Sequence, residues 1–202
     1  MAQTGALGGV YRGLCNLLSN EIKFDPLYVS ESLGFSMERL GVFLDLLEEE
    51  GSLSRDPSSG QILACHPFSV IKTPYIVQTL EWSRYANSAL EALSISYLLN
   101  EPVSISSICP CNNEMLLLDL RGREIRFVDP ASLCILEKEP DCGSPFKFPG
   151  ISETIFFCDR RRIGTVREKR NLQVRKIVDV AGALQSLPDR LKAFPWAIYL
   201  RK

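Results

Sequence analysis

Seven cysteines, one histidine and a Ser-x-x-Glu pair are the side chains of this 202-residue chain best suited to chemistry. Five of the cysteines follow residue 100: Cys109 and Cys111 in "ICPCNNEM", then Cys134, Cys142 and Cys158. Thiolates select soft metal ions, so these are the natural ligands for one. C-x-C is shorter than the usual C-x₂-C zinc knuckle, and no second pair follows at a fixed spacing. Two readings stand. Cys109, Cys111 and Cys158 converge on a metal, or each thiol packs alone as a small hydrophobe. On one extended strand Cys109 and Cys111 would point to the same face. Ser88 and Glu91, in "SALE", are three residues apart, which makes them neighbours on one helix face. Glu91 can carry a proton; equally, the two can be ordinary polar helix residues. His66, the single histidine, precedes Pro67 with no evident serine or acidic partner, so a histidine-based hydrolase is not expected.

Composition narrows the function classes. Net charge is −1, which gives no overall attraction to nucleic acid. The halves differ: residues 1–100 carry six Lys/Arg against eleven Asp/Glu, and residues 101–202 carry seventeen against thirteen. A basic stretch, Arg160 to Lys176, has eight cations in seventeen residues but no aromatic side chain on which bases could stack. It fits an anionic ligand, an acidic partner or a solvated face. No apolar run reaches the roughly 20 residues of a membrane span, and "MAQTGALGG" lacks the pattern of a secretory signal. "GALGG" also lacks the preceding strand that a nucleotide loop needs. An odd cysteine count in a chain without a leader points to thiols rather than a disulfide framework, and to the cytoplasm.

These residues need elements to position them. A first helix is expected from Val10 to Leu18. Pro26 opens a second helix that Gly34 ends, and Ser36 caps a third in which Leu40, Phe43, Leu44 and Leu47 recur at helical spacing. "SLSRDPSSGQILACHPFSV" reads as a hairpin. Helix, turn, helix, hairpin is the order of a winged helix. The helix that would read DNA, however, carries Glu38, Asp45, Glu48, Glu49 and Glu50 against Arg39, the wrong sign for phosphates. Pro74 to Asn100 is expected to be one long helix bearing Ser88 and Glu91. Short apolar runs then predict strands at "VSISSIC", "MLLLDLRG", "REIRFVDP", "LCILEKEP" and "ETIFFC", and "VRKIVDVAGALQSL" predicts a strand followed by a helix.

The order and spacing of "SALEALSISYLLNEPVSISSICPCNNEMLLLDLRGREIRFVDP", "ETIFFCDRRR" and "VRKIVDVAGALQSL" resemble the organomercurial (alkylmercury) lyases, over roughly Asp25 to Leu187. That resemblance implies two cysteine thiolates that bind the mercury of R–Hg⁺ and an acid, three residues after the first cysteine, that protonates the leaving carbon. Carried onto this chain, the first thiol falls at Ser88, the acid at Glu91, and the second thiol at Ile151 or Ser152. Cys109 falls on a cysteine of structural role at the end of a strand. Glu91 can still hold a proton, but serine is a poor ligand for a soft metal and isoleucine is none.

The expected fold class is α+β: a winged-helix-like module over residues 1–74, then an alkylmercury-lyase-like domain over 75–202 built on an antiparallel or mixed sheet. The expected function is a divergent relative with weak or no carbon–mercury protonolysis that retains a pocket for a small ligand or soft metal. Any activity would be that of a lyase, with Ser88 and Glu91 as the catalytic positions and Cys109, Cys111 and Cys158 as metal ligands. The alternative is a ligand- or metal-sensing winged-helix regulator or interaction module. No cofactor, nucleic acid or membrane partner is expected; a homodimer is left open.

Overall fold

The computed structural model describes residues 2–18, 26–138, 154–164 and 174–200. Helix α1 runs over Ala2–Leu17, eight residues earlier than its hydrophobic spacing predicts. Glycines of α1 serve helix packing. A Cβ on Gly13 would lie 2.6 Å from Leu33, and one on Gly8 would lie 3.0 Å from Tyr199. Their absence lets α1 approach both neighbours closely. α2 (Pro26–Leu33) ends at Gly34, whose φ of +70° suits glycine. α3 (Met37–Glu49) starts at Ser36, whose hydroxyl accepts the Arg39 N–H at 3.3 Å. It buries Leu40, Leu44 and Leu47.

Strands β1 (Leu53–Arg55) and β2 (Ile62–Cys65) form the expected hairpin, closed by a turn in which the Asp56 carboxylate accepts the N–H groups of Ser58 and Ser59. The hairpin continues through β3 (Phe68–Ser69) into a larger sheet. The next segment corrects the expectation of one long helix. β4 (Ile76–Gln78) and β5 (Ser83–Ala86) pair antiparallel across a turn at Thr79–Trp82, and helix begins only at α4 (Ala89–Leu99). Leu80, at the turn, is 97% exposed. Alternation decides the matter: Val77 points inward while Ile76 and Gln78 point out. Ser88 caps α4 and Asn100, at φ 53°, ends it.

β6 (Pro102–Ile108), β7 (Met115–Arg121) and β8 (Glu124–Asp129) complete an eight-stranded sheet in the order β1-β2-β3-β5-β4-β6-β7-β8, every neighbouring pair antiparallel. A second sheet, order β10-β9-β11, joins β9 (Cys134–Lys138), β10 (Thr154–Phe157) and β11 (Val174–Asp179). Helix α5 (Val180–Leu191) follows directly, capped by Asp179, and α6 (Pro195–Leu200) packs on α1. α4 lies between the sheets, touching β5, β6 and β7 on one side and β10 and α5 on the other. It is therefore buried all round, including Ser94 and Ser96. No helix among the described residues is long and apolar enough to cross a membrane.

Candidate functional site

The sulfurs of Cys109, Cys111 and Cys158 all lie within 4.8 Å of one another. Cys109 to Cys111 is 3.2 Å, and Cys111 to Cys158 is 3.5 Å. The reason differs from strand alternation. β6 stops at Ile108, and a turn over Cys109–Glu114 closes with the Cys109 N–H on Glu114 and Asn113 at φ 60°. The turn folds Cys111 back over Cys109 and presents both to Cys158, which leaves the end of β10. Cys109 and Cys158 are buried, while Cys111 is half-buried and faces outward. Burial pushes the Cys109 thiol up, but hydrogen bonds from the backbone and thiols of Cys111 and Cys158 outweigh it and bring it below the ordinary value. Burial, followed by its two thiol neighbours, drives Cys158 up to about 12. Cys111 is also raised, first by burial, although the Arg162 side chain opposes this. The three form one favoured thiolate backed by two thiols. Among the described residues no carboxylate or imidazole joins them. Cys134 stands apart, raised to about 11 by burial. Cys142 lies outside the described residues.

Ser88 and Glu91 sit at the other end of β10, and both are buried. The Ser88 hydroxyl accepts the Glu91 N–H at 3.2 Å, which is the work of a helix cap. Thr154, at the start of β10, accepts the Leu90 N–H at 2.9 Å. The Glu91 carboxylate turns toward the β2–β3 turn, where its Oε1 lies 2.5 Å from His66 Nδ1. His66 Nε2 lies 3.2 Å from the Ser54 hydroxyl. The expectation that His66 lacks partners is thereby corrected. Partners lie 12 residues before it (Ser54) and 21 and 25 after it (the Asn87 amide, 3.5 Å from Nδ1, and Glu91), and β-pairing plus the α4 cap bring them together.

With this geometry, the comparisons decide the lineage. The alkylmercury lyase family matches residues 68–187, more than half of the chain. The chain belongs to that family. Its fold is similar to that in the crystal structure of the mercury-bound form of MerB2, with a TM-score of 0.65 and 18% identity over 94% of this chain and 98% of that one. No curated protein matches the sequence.

In this alkylmercury lyase family member, Ser88 and Glu91 occupy a buried helix start, while the described cysteines that meet are elsewhere. Ile151 and Ser152, the expected places of the second thiol, lie outside the described residues, as does the basic stretch from residue 165 to 173. An apolar cavity of about 270 Å³ opens between α1, α2 and α3, lined by Val10, Leu33, Phe35 and Phe43 with Arg39. None of the candidate site residues lines it. Reading the sequence missed Ser54 and undervalued His66, because their contact depends on strand register that no local motif encodes.

Proposed function

We propose that the protein captures a thiophilic metal ion, Hg²⁺ or another soft cation, at Cys109, Cys111 and Cys158, and cleaves carbon–mercury bonds weakly or not at all. The observation that carries this reading is the close approach of the three sulfurs. Tetrahedral Zn–S bonds of 2.3 Å place sulfurs about 3.8 Å apart. The separations of 3.2 and 3.5 Å need to open by only a few tenths of an ångström. An organomercurial seated there would lack a protonated acid: Asp159, next to Cys158, is held as the carboxylate by Arg161, and Glu91 is distant. Cys158 is four residues of strand from Thr154, about 13 Å, and Thr154 is the residue that meets the start of α4. Proton donation needs contact at about 3 Å. Ser88, in the place where the resemblance puts the first thiol, offers a hydroxyl that soft metals do not favour.

Residues 1–74 are proposed to serve as a winged-helix-like packing module rather than a DNA reader. Its acidic helix α3 spends Asp45 and Glu48 on Arg55, each with a contact of 2.6 Å, so these acids hold the hairpin against the helix. The test is direct. Protein purified without chelator is assayed for metal and titrated with Zn²⁺ and Hg²⁺, and hydrocarbon release from phenylmercury is followed. Stoichiometric binding that Cys109→Ser and Cys111→Ser each abolish is expected, with hydrocarbon release close to background. Turnover typical of a lyase, or a metal-free protein that takes up no ion, would overturn the proposal.

A further inference from the structure

Cys109 and Cys111 are brought together by their own turn rather than by the sheets around them. The Cys109 N–H donates to the Glu114 carbonyl at 2.8 Å, and the Asn113 N–H donates to the Cys109 carbonyl at 2.9 Å. Pro110, between the two cysteines, fixes one backbone angle of the turn. Their sulfurs stand 3.2 Å apart, closer than the 3.5 Å from Cys111 to Cys158. A disulfide bond is about 2.05 Å long, so the first pair has to close by only about 1.2 Å, and within one turn. Cys158 leaves a strand of the other sheet, so a bond from it to Cys111 would draw the ends of two sheets together.

The three thiols differ in reach. Cys109 is 0% and Cys158 2% exposed, whereas Cys111 is half-buried. Of the three, a solute can reach Cys111. Cys109 lies on its inner side, where its sulfur accepts the Cys158 N–H at 3.4 Å. Thiol–disulfide exchange is attack by one sulfur on another with expulsion of a third. Attack by Cys109 from the inner side therefore expels a group held by Cys111 toward solvent. Charged groups near this opening are Glu114, Asp159 and the single 3₁₀ turn Arg160–Arg162. Glu114 accepts the Asn112 amide at 2.8 Å, and Arg161 pairs with Asp159 at 2.7 Å. Arg160 and Arg162 are exposed and make no ion pair among the described residues, and the Arg162 side chain approaches Cys111. Their uncompensated charge favours an anionic solute.

We infer that Cys109 and Cys111 form a dithiol–disulfide couple that exchanges with small disulfides bearing carboxylates, RS–SR. The Cys111 thiolate attacks one sulfur of RS–SR, so that a Cys111–SR mixed disulfide forms and RS⁻ leaves. The Cys109 thiolate then attacks the Cys111 sulfur, so that the Cys109–Cys111 bond forms and the second RS⁻ leaves. The protein gives up two electrons and two thiol protons, and the small disulfide takes them as two RSH. Cys158 stays a thiol throughout. The bonded pair has no thiolate to offer a soft ion, so oxidation would switch off metal capture. That consequence rests on the metal-capture reading, whereas the exchange itself rests on the turn and the reach of Cys111.

The full chain, reduced and stripped of metal, is incubated with oxidised glutathione, quenched in acid, alkylated at its free thiols and mapped by peptide mass spectrometry. The expected product has Cys109 bonded to Cys111 and Cys158 alkylated. Cys158→Ser should form the same bond at the wild-type rate, and Cys111→Ser should react at least about tenfold more slowly, because the remaining thiols of the trio are buried. Raising the ionic strength should slow the reaction with oxidised glutathione and leave that with the neutral bis(2-hydroxyethyl) disulfide unchanged. Wild-type protein that stays reduced, a bond from Cys111 to Cys158 in its place, or Cys111→Ser that reacts as fast as wild type would each overturn the inference. Equal salt dependence for the two disulfides would overturn the choice of an anionic substrate. The wild-type map is read on the unaltered protein, so the outcome does not hang on how a variant folds. Zn²⁺ titration before and after oxidation completes the test: oxidised protein should bind at least about tenfold more weakly, and dithiothreitol should restore binding. Reduced protein that forms the bond but binds no Zn²⁺ would strike the metal-capture proposal and leave the couple standing.

Discussion

Metal affinity at the thiol trio should depend steeply on pH. An ion binds thiolates, and each thiol that still carries a proton must lose it on binding. Cys158, at about 12, is protonated throughout the neutral range, and Cys111 is raised as well. Cys109 is lowered, so it supplies the first thiolate with the least help from pH. At least two protons therefore leave per ion between pH 6 and 8. Each released proton multiplies the apparent association constant by about ten per pH unit, so two give about a hundredfold per unit. Competition against a chromophoric zinc chelator at pH 6, 7 and 8, with the chelator's own protonation subtracted, reads the slope directly. A slope below one proton in the wild type would refute the reasoning, since the ion would then be held by groups already ionised.

Two further outcomes follow from local structure. Ser88→Ala removes the oxygen that accepts the Glu91 N–H and should lower stability by about 1 kcal/mol in urea unfolding. A much smaller loss would mean that another group caps α4. Metal-free protein should also lose stability in alkali. Burial raises Cys15 to about 12, while an unfolded thiol ionises near 8.5. The contribution is complete below about 8.5 and falls as pH rises toward 12, by about 2 kcal/mol from pH 8 to 10. Cys15→Ala should flatten that part of the unfolding curve.

How much of this was legible depended on the range of the interaction involved. Ser36 and Gly34 announced the boundaries of α2 and α3 because caps and left-handed glycines act within a few residues. The alternation in "MLLLDLRG" and "VSISSIC" marked β7 and β6 because each buries one face. Pro74 to Asn100 misled because Tyr85, Ala89, Ala92 and Leu93 keep helical spacing across a point where the chain changes from strand to helix. α4 itself is buried all round, so its periodicity carried no directional signal. The C-x-C spacing singled out two thiols that do meet, for an incomplete reason. Alternation on a strand would bring two cysteines to one face, but it could not supply Cys158, 47 residues away, which the turn at Asn113 and the end of β10 bring together. His66 was set aside because sequence distance hides a contact made across two strands and a helix cap.

Ser88 shows how one atom can change what a position does. A helix start needs an acceptor for its free N–H groups, and a hydroxyl oxygen is a far better acceptor than sulfur. With serine there, the Glu91 N–H is satisfied and α4 begins cleanly at Ala89. A cysteine at the same place would leave that N–H poorly satisfied inside the core but would point a soft ligand toward the buried acid three residues on. The two uses compete for one side chain, because an oxygen held as the acceptor for a backbone N–H has little to offer a metal. A hydroxyl at this position favours order in the first turn of α4 over affinity for a soft metal. That order in turn fixes the Glu91 carboxyl against His66, while the thiols that can hold a metal gather at the opposite end of β10.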